Sequence, residues 1–175
     1  HHKSLVEWDA YEHILQGLAH HHRSWYTIGN IRSSIRHFKT AIELDPECAR
    51  AHAYLACAVA WPWTRKRKAE NLDHCLALAN RAIELEPTEA EAHRVLGGIH
   101  LVRSEHDLSG HHFGEAENIH PGHANVLAHA ARYHMHTGSL NLALSKLHQA
   151  RQRNPGHPSW YWEHIGVAAF VGRNY

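Results

Sequence analysis

A short phrase recurs along the chain, each time closed by a proline. Ala82-Ile-Glu-Leu-Glu-Pro87 stands upstream as Ala41-Ile-Glu-Leu-Asp-Pro46. Downstream it degrades to Ala116-Glu-Asn-Ile-His-Pro121 and then to Ala150-Arg-Gln-Arg-Asn-Pro155. The prolines at 46, 87, 121 and 155 leave gaps of 41, 34 and 34 residues. A period of 34 is the length of one helix–turn–helix pair, and 41 is one such pair with seven residues inserted. A lone pair of this kind cannot bury its apolar face, so the chain must fold by stacking each pair on its neighbour.

Helical spacing of apolar residues marks the elements. Residues 9–22 carry Tyr11, Ile14, Leu15 and Leu18, and residues 31–44 carry Ile31, Ile35, Phe38 and Ile42. The link at 23–30, with Trp25, Tyr26 and Gly29, is long for a tight hairpin. Asp45-Pro46 ends the second helix, because the residue before a proline is pushed out of the α region. An alanine-rich helix is expected over 49–60, broken by Trp61-Pro62-Trp63-Thr64 and followed by Arg65-Lys66-Arg67-Lys68, where the seven extra residues sit. Its partner over 69–85 carries Leu72, Leu76, Ala79 and Ile83.

Thr88-Glu89-Ala90-Glu91 reads as a capping box, opening the apolar stripe Ala92, Val95, Leu96, Ile99 and Val102. A helix over 107–118 turns Phe113 and Ala116 inward. The next pair starts near His123 and turns at Gly138-Ser139, a glycine past one helix and a serine capping the next. It returns through Leu140, Ala143, Leu144, Leu147 and Ala150. A last helix over 159–171 has no partner, so either the native chain continues or this helix is a cap. The units are therefore about 9–46, 47–87 with an insertion near 61–68, 88–121, 122–155 and a half unit at 156–175. Residues 1–8, which begin His1-His2-Lys3 without a methionine, read as a tag remnant and leader.

Composition narrows the function classes. The 175 residues carry a formal net charge of +1, which argues against a dedicated polyanion binder. The basic run 65–68 beside Trp61 and Trp63 therefore reads as a solvated loop, and nucleic acid is not an expected partner. Cys48, Cys57 and Cys75 form no C-x-x-C pair and read as small core residues of a reducing compartment. No apolar run approaches the ~18 residues of a membrane span, and no secretory signal is present, so a cytoplasmic protein is expected. There is no G-x-S-x-G, phosphate-cradling glycine loop or H-E-x-x-H, so no catalytic residue is expected.

The 22 histidines include no pair at i and i+4, the spacing that suits one metal ion on a helix. The pairs His13/His20, His93/His100 and His129/His136 are seven residues apart, about 10 Å along a helix. No metal site and no cofactor are expected. So many imidazoles could make the surface charge depend steeply on pH near 6.

With Pro121 as a repeat's terminal proline, Leu96, Gly97, Ser109, Phe113 and Ala116 fall on the Leu, Gly, small, aromatic and Ala positions of the tetratricopeptide family. With Pro155, Gly138, Ala143, Leu147 and Ala150 do the same. The chain resembles that family over nearly all of residues 9–175. It departs where the family's first-helix Trp is His52, His93 and Leu127, and where its Tyr is Val59, His100 and His134. The resemblance implies an all-α, right-handed α-solenoid of about four and a half helix pairs. It also implies that His100 and His134 pack as amphipathic rings against the next helix. A narrower resemblance rests on Asp9-Ala-Tyr-Glu-His-Ile-Leu-Gln-Gly17, on 41–46, and on Ala49, Ala51, Ala53, Leu55 and Ala56. It is to the repeat tails that follow a class III nucleotidyl cyclase or a winged-helix domain in certain bacterial regulators.

In such arrays the first helices line a concave groove that takes a peptide or helix of another protein. The family's groove positions are Tyr11, Ile14, Leu18 and His22 in the first helix, and Arg50, Ala53, Cys57 and Trp61 in the second unit. They continue as Glu91, Arg94, Gly98 and Val102, and then as Asn125, Ala128, Arg132 and His136. The implied groove is apolar with cations at Arg50, Arg94 and Arg132. The lysine/asparagine carboxylate clamp of co-chaperone repeats is missing. The expected function is a non-catalytic protein–protein interaction module of a larger bacterial signalling protein, with a homodimer through the unpaired last helix as a further expectation. The alternative of a different class is a histidine-rich domain that senses a metal or small ligand.

Overall fold

A computed structural model of the protein describes residues 5–23, 27–66, 72–157 and 159–173, with the backbone alone at 6, 22, 23, 61–66 and 173. These residues form α1 (Leu5–Arg23), α2 (Ile28–Leu44), α3 (Ala49–Lys66), α4 (Leu72–Leu85) and α5 (Ala90–Val102). They continue as α6 (His106–Ile119), α7 (Ala124–His136), α8 (Leu140–Arg153) and α9 (Trp160–Arg173). Among the described residues there is no strand, and no helix is long and apolar enough to cross a membrane. Two compact units divide within α5, at Val95 and Leu96.

One rule builds the core of both units. Counting back from each terminal proline, the residues 12, 8 and 5 places earlier face the partner helix. They are Ser34, Phe38 and Ala41 in α2, and Cys75, Ala79 and Ala82 in α4. They are Ser109, Phe113 and Ala116 in α6, and Ala143, Leu147 and Ala150 in α8. All twelve are buried. Spacings of four and three keep them on one helical face, and their mostly small size lets the helices approach.

In unit 1, α1 crosses α2 where Gly17 faces Phe38. A Cβ at Gly17 would stand 2.5 Å from that ring, so only glycine admits this contact. Phe38 in turn stacks on Tyr54 of α3 with centroids 5.6 Å apart. Ile14, Ala41 and Ala51 form one cluster beside it, and Ala49, Ala53, Ala82 and Ala92 form another. His52 and His93 hold one position in successive units, where each Nε2 bonds the carbonyl six residues earlier, at Pro46 (3.0 Å) and Pro87 (3.2 Å). Since a carbonyl only accepts, Nε2 carries the proton in both rings. These imidazoles tie each first helix to the preceding turn.

In unit 2, the Ser109 hydroxyl donates to the Gly97 carbonyl at 2.8 Å, and a Cβ at Gly97 would meet the Phe113 ring at 2.9 Å. The rings of His100 and His112 stack at 5.4 Å, so His100 packs on the partner helix in place of a tyrosine. Lys146 of α8 binds both oxygens of Glu117 on α6 at 2.7 Å.

Three local expectations are corrected. First, α3 does not stop at residue 60 but runs through Pro62 to Lys66. A proline within a helix deletes one hydrogen bond and favours a kink, which helix on both sides can absorb. Second, Thr88 forms no capping box. Its hydroxyl and amide both turn back to Glu86, the Glu89 carboxylate accepts from the Glu91 amide, and Glu91 is occupied elsewhere. Third, Ser139 makes no side-chain cap. Trp25, Tyr26, Arg67 and Lys68 lie outside the described residues.

Gly138, by contrast, adopts φ +81 as its place past a helix end requires, and the Ser139 amide closes on the His134 carbonyl at 2.8 Å. The end of α5 copies this closure, with the Glu105 amide on the His100 carbonyl at 2.9 Å. There the left-handed residue is Ser104, at φ 62. A side chain in that region costs about 1–2 kcal/mol. Ser104→Gly is therefore expected to raise stability by about 1 kcal/mol, read as a later urea midpoint with an unchanged slope.

Candidate functional site

The first-helix face of unit 1 is a closed polar network. Glu91 and Arg94 are one turn apart on α5, and both are nearly buried, at 8% and 5% exposure. Arg94 binds Glu91 through two nitrogens, with Nε to Oε2 at 2.8 Å. The nitrogen shared with Oε1 also points at Cys57 Sγ, 2.9 Å away on α3. On the far side of that sulfur stands His21 of α1, with Nε2 at 3.5 Å. Burial works against the guanidinium charge, but the Glu91 carboxylate more than offsets it, and the pKa of Arg94 is raised. Burial pushes the Cys57 thiol up, against the opposing pull of Arg94. Burial drives His21 down to about 4, so its ring is neutral near pH 7. The neutral Nε2 can accept the thiol proton while the sulfur accepts from Arg94. Tyr54 sits in the same surroundings, its hydroxyl pKa raised first by burial and then by Glu91. At the rim, Arg50 pairs with Glu89 at 3.3 Å.

This arrangement sorts the expected groove residues. Arg94 is a structural ion and not an accessible cation, since it is nearly buried and its Nε and one terminal nitrogen are committed to Glu91 and Cys57. Ile14, Ala53 and Ala128 are at most 2% exposed. They belong to the core, because small or apolar residues at those positions let neighbouring helices close over them. Tyr11 and Arg50 are exposed, and Leu18 and Cys57 are half-buried. The His22 and Trp61 side chains lie outside the described residues.

In unit 2, Gly98, Val102, Asn125 and Arg132 are half-buried and His136 is exposed. Asn125 is engaged, its Oδ1 accepting from the hydroxyl of the fully buried Tyr161 at 3.1 Å. The expectation stopped one helix short. Adding the 34-residue period to 125, 128, 132 and 136 gives Ser159, just before α9, and Trp162, Gly166 and Phe170 on it. Trp162 is 54% exposed and Phe170 70%. A Cβ at Gly166, which lies between them, would meet nothing within 4 Å. Positions four apart share one helical face, so two outward aromatic rings flank an open glycine step. The Arg151 guanidinium lies over the Trp162 ring, 4.2 Å from its centroid. The period itself was the signal that could have found them. Among the described residues no cluster of three or more histidine, cysteine or carboxylate side chains could hold a metal ion.

Several solved structures share the fold. TTC0263, a thermophilic tetratricopeptide-repeat protein of Thermus thermophilus, superposes with a TM-score of 0.64 at 17% identity, over 94% of this chain and 80% of that one. PilF of Pseudomonas aeruginosa gives 0.65 at 18% identity, over 98% and 72%. MamA gives 0.54 at 16% identity, over 95% and 83%. No protein-family model and no curated protein matches the sequence. The fold is thus the all-α, right-handed solenoid of tetratricopeptide-type helix pairs.

Proposed function

We propose that this chain is a non-catalytic interaction module that holds a peptide or helix of another protein along its first-helix face. The observation that carries the reading is the exposed pair Trp162 and Phe170 around Gly166. Large aromatics held on a rigid helix are the residues that dominate interface energies, and their outward exposure supports a binding role over a packing one. Arg132 and His136 on α7 add polar contacts within unit 2. In unit 1, Tyr11, Leu18, Arg50 and Cys57 supply a second stretch of the same kind of surface. The closed Glu91–Arg94 pair keeps that wall rigid and does not serve as a cation for a ligand. We place the module in the cytoplasm, as part of a larger bacterial regulatory protein. The apolar outer surface of α9 is also the proposed face of a homodimer.

A displayed random-peptide library panned on the wild-type protein tests the reading. Selected peptides are expected to bind with micromolar Kd and to lose at least about tenfold, some 1.4 kcal/mol, on Trp162→Ala/Phe170→Ala. Circular dichroism confirms that the variant folds. Peptides that bind both proteins equally, or a library that yields none, would overturn it.

A further inference from the structure

The seam between α1 and α2 has an apolar side, Gly17 against Phe38 and Ile14 against Ala41, and a side made of imidazoles. His13 Nδ1 lies 3.1 Å from His37 Nδ1, with ring centroids 5.4 Å apart. His20 also stacks on His37, at 5.6 Å and an interplanar angle of 11°, and its Nδ1 is 3.4 Å from Asn30 Oδ1. Two turns separate His13 from His20 on α1, so both reach the single His37 of α2. His21, next in the chain, turns inward instead. Its ring stands edge-on to Phe38 at 6.4 Å, and its Nε2 meets Cys57 of α3.

These contacts limit how many protons the seam can hold. Two nitrogens facing at 3.1 Å share one proton, one donating and the other accepting. Two imidazolium rings would each present an N–H there, and the contact must break. Burial first, then His13 and His20 from α1 and Arg36 from its own helix, hold the pKa of His37 below the usual range. No carboxylate is among these groups, and α3 presents Tyr54 to Phe38 on that helix. Around His21 stand Cys57 of α3 and the Glu91–Arg94 pair of α5, whose charges oppose each other.

We propose that the imidazoles of His13, His20, His21 and His37 form a proton-sensitive latch that holds α1 on α2 and α3 and lets it go in mild acid. The sign follows from the direction of the shifts. His21 and His37 bind protons less readily closed than open. The closed state therefore has its full stability above the ordinary histidine pKa of about 6.5 and loses it as the pH falls below that value. One imidazole kept wholly neutral when closed favours opening about 30-fold more at pH 5 than at pH 7.5.

Hydrogen exchange read by mass spectrometry at pH 5 and 7.5, corrected for intrinsic rates, tests this with α8 as the internal reference. Protection of α1 is expected to fall at least tenfold more than that of α8 on acidification. His13→Gln/His37→Gln should reduce that difference and leave the part due to His21, and the single His37→Gln serves if the double variant does not fold. Equal α1 protection at both pH values overturns the latch. So does an equal loss in every helix, or an acid response unchanged in the variants.

Discussion

Replacing Arg94 by methionine is expected to destabilise the protein by about 3–5 kcal/mol, because it strands the buried Glu91 carboxylate without its partner. The cost arises from the residue left behind more than from the bond removed. Glu91 has little access to water, and the two nitrogens that satisfied it would be gone. Replacing both residues by apolar ones of similar size, as Glu91→Leu/Arg94→Met, should therefore return most of the loss. Urea unfolding of the two single variants and the double closes the cycle, with a coupling energy of several kcal/mol expected for neighbours that share a contact. A single substitution costing less than about 1 kcal/mol would mean that water reaches the pair. The same variant removes the donor on Cys57, so its thiol should titrate at a still higher pH, as followed by absorbance of the thiolate.

The second large effect is at Phe38, where truncation to alanine should cost about 3–5 kcal/mol. The ring is fully buried, closes over Gly17 and stacks on Tyr54, so its loss opens a cavity bounded by three helices of unit 1. Gly17→Ala tests the same contact from the other side. Alanine favours a helix over glycine by about 1 kcal/mol, yet the added methyl group meets the Phe38 ring, and overpacking of this kind costs about 1–3 kcal/mol. A net loss is expected, and Phe38→Leu should relieve it in the double variant. Gly114→Ala is the control. Its Cβ would meet nothing within 4 Å, so only the helical preference acts and a gain of up to about 1 kcal/mol is expected. Thermal midpoints of these four proteins separate crowding from backbone preference.

The recurring proline phrase was enough to establish the helix pairs and the class of fold, because a period of 34 admits few packings. Position-by-position matching also located Gly97, Ser109 and Phe113 before any coordinates. The same matching, carried to the first hairpin, would have found Gly17, Ser34, Phe38 and Ala41. Carried past Pro155, it would have found Trp162 and Phe170, the residues on which the functional reading now rests. Local signals did less well. Thr88 looked like a cap, but Glu86 and Glu89 lie closer to the free groups and took both roles. Pro62 looked like a stop, although a proline can only weaken a helix that its neighbours continue.

The sequence by itself determined the succession of helix pairs and the buried face of each second helix, since both follow from spacing along one chain. Only the tertiary structure decided which polar residues remain available to a partner. Arg94 was indistinguishable in sequence from Arg50 or Arg132, and it becomes a buried ion because Glu91 lies one turn away and Cys57 arrives from a helix 37 residues earlier. Whether a charge faces water or a neighbour depends on contacts between distant segments, and helical spacing carries no record of those.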